Sequence, residues 1–98
     1  MNTDNLLRIE HFCEYYKVEF AFINALHEFG LIDVVVVDEF KYLSVEGLSE
    51  IEKLIRLHYD LGINIEGIDV ISNLLKQISD LQQEVTIAKN KLRLLTPD

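Results

Sequence analysis

An unbroken heptad repeat in the last third of the chain limits the possible folds more than any other feature. With Ile71 taken as position a, every a and d position as far as Leu95 is apolar. Such a stripe predicts one long amphipathic helix with a hydrophobic seam along one side. The a positions are Ile71, Ile78, Val85 and Leu92, and the d positions are Leu74, Leu81, Ala88 and Leu95.

Signals at both ends place this helix from Asn64 to Leu95. Asn64 follows Gly62 and is the predicted N-cap, and Pro97 disfavours helical geometry in the residue before it. At about 1.5 Å per residue the helix is roughly 45 Å long, which exceeds the width of a domain this small. We therefore predict a head, residues 1–62, followed by a dimerisation helix, residues 63–98, whose seam packs against a second copy of the chain.

The heptad pattern alone leaves the orientation of this dimer open. Ile or Val at a with Leu at d favours a parallel pair, in which Glu84 at g faces Lys89 at e of the partner. Further apolar residues outside the seam make the apolar surface wider than a two-stranded pair requires, and they also offer room for a partner. These residues are Val70, Leu75, Ile87 and Leu94.

The sequence of the head predicts two short helices, a β-hairpin and a third helix. Phe20, Ile23, Leu26 and Phe29 recur at steps of three and predict the buried face of the second helix, with Gly30 as its left-handed C′ residue. The β-branched run LIDVVVV predicts a strand. The predicted elements are an edge strand at 5–9, helices at 10–16 and 19–29, strands at 31–37 and 40–43, and a third helix with Ser44 as N-cap. The fold class is therefore mainly α, with a small hairpin wing.

Composition argues against a protein that binds nucleic acid or anionic membranes. The formal net charge is −8, and residues 1–43 hold eight acidic against three basic residues. Such a head repels nucleic acid and anionic membranes and attracts basic partners. The single cysteine, Cys13, suits a reducing cytoplasm and predicts a buried thiol rather than a metal or redox site. We find no signal peptide, membrane span, cofactor motif or catalytic set, and we expect a cytoplasmic protein that is not an enzyme.

The hinge segment RLHYDLGINIEGIDVISNLL, residues 56–75, resembles that of the MerR-like helix-turn-helix superfamily. The matching positions are a Leu-Gly pair, an elbow, and a helix that opens with Glu and Ile. FGLI, residues 29–32, resembles the exit of that superfamily's recognition helix into its wing. The resemblance implies a winged helix-turn-helix head on a long helix that pairs antiparallel.

Helix 19–29 departs from the DNA-binding members of that superfamily. It contains no Lys or Arg, and it carries Glu19 and Glu28. Where those members hold an Arg and then aromatics, this chain has Asn24, Ala25 and Leu26. Because affinity for duplex DNA needs several cations on one face, we expect DNA binding to be lost. A transcription regulator that binds DNA is the alternative interpretation, and an adaptor built on the coiled coil is a third.

Two further segments resemble the chaperone modulator (CbpM) family of short MerR-like proteins. They are EHFCEYYKV, residues 10–18, and LLKQISDLQQEV, residues 74–85. This resemblance implies a regulator that binds the J-domain of a DnaJ-like co-chaperone of the CbpA type and blocks its work with Hsp70. The J-domain face bound in that family is basic, and an acidic modulator is complementary to it.

Acidic side chains on the head are the candidate partner-binding residues. Our hypothesis is that some of them form a patch that docks a basic helix, with exposed aromatic residues as anchors. Tyr15 and Phe22 fall off the apolar stripes of their helices, so we expect one or both to be exposed. The acidic candidates are Glu14, Glu19, Glu28, Asp33, Asp38 and Glu39, with Glu10 on the same two-helix surface.

Overall fold

The computed structural model describes residues 5–95, and it confirms the predicted class: a small three-stranded sheet and three helices form the head, and a long helix follows. Its principal extents are 59 × 37 × 20 Å, because the long helix projects from the head. Pro97 lies outside the described residues. The elements are β1 (Leu6–Arg8), α1 (Ile9–Tyr16), α2 (Phe20–Glu28), β2 (Val35–Val37), β3 (Phe40–Ser44), a 3-10 turn (Val45–Gly47), α3 (Leu48–Tyr59) and α4 (Ile65–Leu95).

The sheet is antiparallel in the order β1-β3-β2. The predicted edge strand at 5–9 is confirmed as β1, in which Leu7 pairs with Leu43 of β3. On the other side of β3, Val37 pairs with Phe40, so a two-residue loop joins β2 to β3. Leu43 is fully buried and anchors the central strand in the core. The hairpin of β2 and β3 is called the wing below.

The wing turn has an uncommon backbone. Asp38 has φ of 49° and Glu39 has φ of 70°, so both loop residues are left-handed. Two-residue hairpins favour this geometry because its twist matches that of the strands, but the usual residues are Asn-Gly or Asp-Gly. A left-handed non-glycine residue costs roughly 1–2 kcal/mol, and the cost is greater for Glu39 than for Asp38, whose short polar side chain tolerates this region.

One hydrophobic core holds the head together. Its buried side chains come from every layer of the head and from the first turns of α4. Among residues 5–95 no polar or charged residue is buried. The core residues are Ile9, Phe12, Val18, Phe22, Ile23, Leu26, Ile32, Leu43, Ile51, Leu54 and Ile68.

The predicted second strand begins four residues too early, since β2 spans only Val35–Val37. The residues before it complete the C-terminal cap of α2 instead. Gly30, with φ of 74°, and Leu31 donate backbone hydrogen bonds to the carbonyls of His27 and Leu26 at 2.9 Å each. This pair of bonds is a Schellman motif, and it uses the backbone groups that a strand would need. Ile32 then turns into the core.

The third helix also starts later than predicted. Ser44 ends β3 and is N-cap only of the 3-10 turn, where its side chain makes no capping hydrogen bond. Gly47 is the N-cap of α3. At the other end, Leu61 lies beyond α3 and is 68% exposed.

The start of the long helix is confirmed at Asn64. Its side-chain Oδ1 accepts a hydrogen bond from the backbone N–H of Gly67 at 2.8 Å, which is the N-cap interaction. A Cβ at Gly67 would lie 2.8 Å from Cγ2 of Ile63 and 3.1 Å from that Oδ1, so glycine leaves room for the cap. Of the residues in α4, all within the described range, only Ile68 is buried.

We predict that Asn64→Ala lowers the free energy of unfolding by about 1 kcal/mol, because a helix N–H loses its acceptor. Urea denaturation followed by circular dichroism measures this loss. Asn73→Ala, at an exposed position inside α4, is the matched control and should leave stability unchanged or slightly raised. Equal losses in the two variants would contradict the capping role.

Candidate protein-binding surface of the head

Helix α1 presents one of the two predicted aromatic anchors together with two acids. Tyr15 is 79% exposed, and its ring meets Tyr16 edge-on with centroids 5.1 Å apart. Glu10 and Glu14 are exposed on the same helix. Burial and the nearby Glu52 carboxylate raise the pKa of the Tyr16 hydroxyl, so that group stays neutral. The exposed side of α1 therefore combines negative charge with one large aromatic ring.

Phe22, the other predicted anchor, is a core residue, so it is no longer a candidate for partner binding. It is 6% exposed, and its ring stacks on His58 of α3 with centroids 4.3 Å apart. Tyr59 meets the same ring edge-on at 5.4 Å. The Tyr59 hydroxyl accepts a hydrogen bond from the backbone N–H of Glu19 at 3.1 Å. These contacts join the start of α2 to the end of α3.

The apolar face of α2 is rotated from the one predicted. Phe22, Ile23 and Leu26 are buried, whereas Phe20 is 47% and Phe29 43% exposed. α2 carries apolar residues on nearly every side, so spacing alone could not choose the buried face. Phe20 stands in the first turn of α2, and Phe29 is the C-cap residue. Both termini of the helix therefore leave an aromatic ring in contact with solvent.

The exposed side of α2 offers little for reading DNA. Glu19 and Glu28 are exposed, and Asn24 donates a side-chain hydrogen bond to Glu28 at 3.2 Å. That bond ties the only amide side chain of α2 to a carboxylate. Base readout in the major groove relies on Arg, Lys, Asn or Gln, and phosphate contacts rely on cations.

The wing brings three exposed aromatic or charged residues next to the two helices. Glu39, Phe40 and Lys41 line a cleft of about 150 Å³ against Glu10 of α1 and Phe20 of α2. Ile9 forms the remaining wall of this cleft. The sequence pattern predicted neither Phe20 nor Phe40 as a surface residue. Their positions were the only sequence signal for exposure: Phe20 is the first residue of a helix, and Phe40 follows a tight turn.

Asp33 lies apart from the wing tip. It lines a separate cleft of about 380 Å³ with Glu46 and Glu50, between the α2–β2 loop and the start of α3. The structure thus brings Glu10 and Glu39 together at one cleft and places Asp33 at another. Glu14, Glu19, Glu28 and Asp38 are exposed but line neither cleft.

Negative charge dominates the described part of the head before α3. Between residues 5 and 43 there are seven acidic residues, all exposed, and three basic residues. One of these bases, Arg8, forms an ion pair with Glu10 at 3.0 Å. The acids are Glu10, Glu14, Glu19, Glu28, Asp33, Asp38 and Glu39, and the bases are Arg8, Lys17 and Lys41. This surface repels polyanions and is suited to a positively charged protein.

Cys13 has the features of a packing residue. Burial raises the pKa of its thiol, which lowers the fraction of reactive thiolate. Residues 5–95 contain no cluster of three or more His, Cys, Asp or Glu residues placed to hold a metal ion. Over the same residues, no helix is long and apolar enough to cross a membrane.

The predicted seam of α4 lies on the surface of the single chain. Along its middle, Leu74, Ile78, Leu81 and Val85 are each between 49% and 59% exposed. Nearer the head, Ile71 is half-buried, while Ala88 is exposed, as are Leu92 at 61% and Leu95 at 77%. Val70, Leu75, Ile87 and Leu94 add further exposed apolar surface outside the seam. A continuous apolar stripe of this length is typical of a surface that packs against another protein chain.

The fold and this surface define a regulatory protein of the winged helix-turn-helix class. Residues 7–90 match the family described as "MerR HTH family regulatory protein". The match spans most of the chain, and the chain belongs to this family. No curated protein and no solved structure matches it significantly.

We predict opposite outcomes for the two aromatic candidates on truncation. Phe22→Ala removes a buried ring and lowers the free energy of unfolding by about 3–5 kcal/mol. Tyr15→Ala changes it by less than about 0.5 kcal/mol, because most of the Tyr15 ring is in solvent. Urea denaturation of both variants measures these values. A large loss for Tyr15→Ala would show that its ring supports the fold.

Proposed function

We propose that this protein is a regulator that binds the J-domain of a DnaJ-like co-chaperone and blocks its work with Hsp70, as its resemblance to the chaperone modulator family implies. One observation carries the proposal. The face that a MerR-like head would turn toward DNA, made of α2 and the wing, exposes Glu19, Glu28, Asp38 and Glu39 against the single base Lys41.

Charge complementarity supports a basic protein as the ligand. Opposite potentials accelerate encounter and fix orientation, whereas like charges held together cost several kcal/mol. Duplex DNA presents a dense row of phosphates to any protein in its groove, so an acidic reading face is repelled. No feature of α2 or the wing favours the alternative of a DNA-binding transcription regulator.

Inhibition follows from occlusion in this proposal. The basic face of the J-domain is the face that would engage Hsp70, and two proteins cannot occupy it together. The regulator then needs no catalytic group. Its affinity relative to that of Hsp70, and its concentration, set the degree of inhibition.

A homodimer formed through α4 is the second part of the proposal. Leu74, Ile78, Leu81 and Val85 supply apolar area that the head does not cover. Charge along α4 favours the antiparallel orientation. Residues 65–80 carry three acids and one base, and residues 81–95 carry one acid and three bases. Antiparallel pairing sets the net negative half of one helix against the net positive half of the other, and parallel pairing sets like against like.

We expect the double variant Asp38→Lys with Glu39→Lys to weaken J-domain binding about tenfold or more at low salt, because four units of charge change on the docking face. Isothermal titration calorimetry with a purified J-domain measures the affinity. The double variant Glu46→Lys with Glu50→Lys makes the same change of net charge outside α2 and the wing, and it should retain most of the affinity.

Unaltered affinity of the Asp38/Glu39 double variant for the J-domain would remove these two residues from the interface. Two results would overturn the proposal itself. One is the absence of J-domain binding by the unmodified protein. The other is tight, salt-sensitive retardation of duplex DNA by the unmodified protein, which would favour the transcription regulator.

Leu81→Asp should convert the proposed dimer to monomer while the head stays folded, because Leu81 is exposed in the single chain and a buried charge is costly in a seam. Sedimentation velocity measures the mass, and circular dichroism checks the fold. Gln83→Asp adds the same charge off the seam and should remain dimeric. Equal mass for both variants and the unmodified chain would contradict dimerisation through this face.

Spin labels test the orientation of the pair. A label at Asn90→Cys in a Cys13→Ser background reports the distance between equivalent positions of the two helices. A short distance, such as adjacent parallel helices give, would overturn the antiparallel arrangement. A distance of about 30 Å is expected for the antiparallel pair, because Asn90 lies about 15 Å from the middle of α4 along the helix axis.

A further inference from the structure

The cleft at the wing tip combines two kinds of group that bind cations. Phe20 and Phe40 give it exposed aromatic surface, each ring being nearly half exposed at 47% and 46%. Glu10 and Glu39 give it carboxylates. Its volume of about 150 Å³ equals roughly five water molecules in the liquid, which suits the end of one long side chain rather than a whole peptide segment.

Each of the two rings already contacts a cationic side chain of the same chain. The guanidinium carbon of Arg8 lies 4.1 Å from the Phe40 ring centroid, and Nζ of Lys41 lies 5.9 Å from that of Phe20. The contact of Lys41 is at the outer limit of a cation–π interaction. Arg8 is further held by its ion pair with Glu10, whereas Lys41 makes no ion pair with any residue from 5 to 95. Lys41 is therefore the cation that a competitor can replace.

The wing turn positions Glu39 at this cleft at a cost to the fold. Glu39 has φ of 70°, and a glycine in its place would complete a favoured Asp-Gly turn with Asp38. Non-glycine residues in this region cluster at functional sites, where the strain is retained by the surrounding structure. Glu39 lines the cleft with Glu10 and brings a carboxylate there, which gives the residue a role that glycine lacks.

We propose that this cleft binds one arginine side chain presented by a basic protein surface, with the Phe20 ring receiving the guanidinium face and Glu39 its N–H groups. Phe40, whose ring already contacts Arg8, lines the cleft beside them. The proposal deepens the function proposed above and rests on it for the identity of the partner, the J-domain. Arginine fits better than lysine because its planar group both stacks on rings and donates paired hydrogen bonds to a carboxylate. On binding, the guanidinium displaces Lys41 from the Phe20 ring.

Lys41 then acts as an internal competitor. Its ammonium occupies ring surface that the incoming cation needs, and it repels that cation. Removing its charge should therefore strengthen binding, although most losses of a charged residue from a docking surface weaken it. This sign separates the cleft from a surface that binds carboxylates through Lys41.

Nuclear magnetic resonance tests the cleft without the J-domain. Nα-acetyl-arginine amide is titrated into the full chain while the aromatic signals of Phe20, Phe40 and Tyr15 are followed. We expect concentration-dependent shifts at Phe20 and Phe40 and none at Tyr15. Nα-acetyl-citrulline amide, the neutral isostere, should cause no shift. Equal shifts with both amides, or shifts at Tyr15 alone, would overturn the proposal.

Four variants then test the roles of the lining residues, with both the arginine amide and the J-domain as probes. Glu39→Gln should weaken binding of both severalfold and leave the urea midpoint unchanged. Glu39→Gly should weaken binding likewise and raise the midpoint, because the turn strain is relieved. Lys41→Met should strengthen binding severalfold. Glu50→Gln, on α3, is the control for lost negative charge and should match the unmodified chain.

The outcomes separate this proposal from the proposed function. Shifts at Phe20 and Phe40 that depend on Glu39, with no J-domain binding by the unmodified chain, would keep the cleft and reject the J-domain as partner. J-domain binding that is unaltered by Glu39→Gln and Lys41→Met, with no response to the arginine amide, would keep the function and reject the cleft. Weaker binding after Lys41→Met would assign Lys41 to the contact and reject its role as competitor.

Discussion

The contact of α2 with the end of α3 is the interaction on which the rest of the head depends. Phe22 stacks on His58 at 4.3 Å, and the Tyr59 hydroxyl accepts the backbone N–H of Glu19 at 3.1 Å. His58 donates through Nδ1 to the carbonyl of Ile63 at 2.8 Å, so the same ring fixes the elbow before α4. The Phe22–His58 stack therefore links the packing of the helix-turn-helix to the elbow from which the long helix leaves.

Local sequence signals predicted the long helix and the helix caps, whereas the buried face of α2 and the wing cleft depend on tertiary packing. The heptad stripe, the Asn64 cap and Gly30 as a left-handed residue act locally, and the structure contains that helix and both caps. The buried face of α2 was predicted only in part: Ile23 and Leu26 are buried as predicted, whereas Phe22 takes the place expected for Phe20 and Phe29. The three phenylalanines are equally apolar, and the stack on His58 selects Phe22. The wing cleft was not predictable, because its walls come from three elements that meet only after folding.

The acidic face and the strained wing turn support one physical picture of the function. A MerR-like scaffold holds a helix and a hairpin side by side, and that geometry suits any ligand with a convex, charged surface. This chain exposes Glu19, Glu28 and Glu39 on that helix and hairpin, which is why the proposed ligand is basic. Fold and binding chemistry are separable in this way because the exposed side chains of α2 and the wing contribute little to the core.

The attachment of α4 through its first turns has a mechanical consequence. Ile68 is the last residue of the helix that is buried in the head, and about 40 Å of rigid rod extends beyond it. A pivot of about ten degrees about that anchor would displace the far tip by about 7 Å, which is more than one helical turn. In the proposed dimer, two heads joined through such rods would therefore alter their separation substantially while each keeps its own interior packing intact.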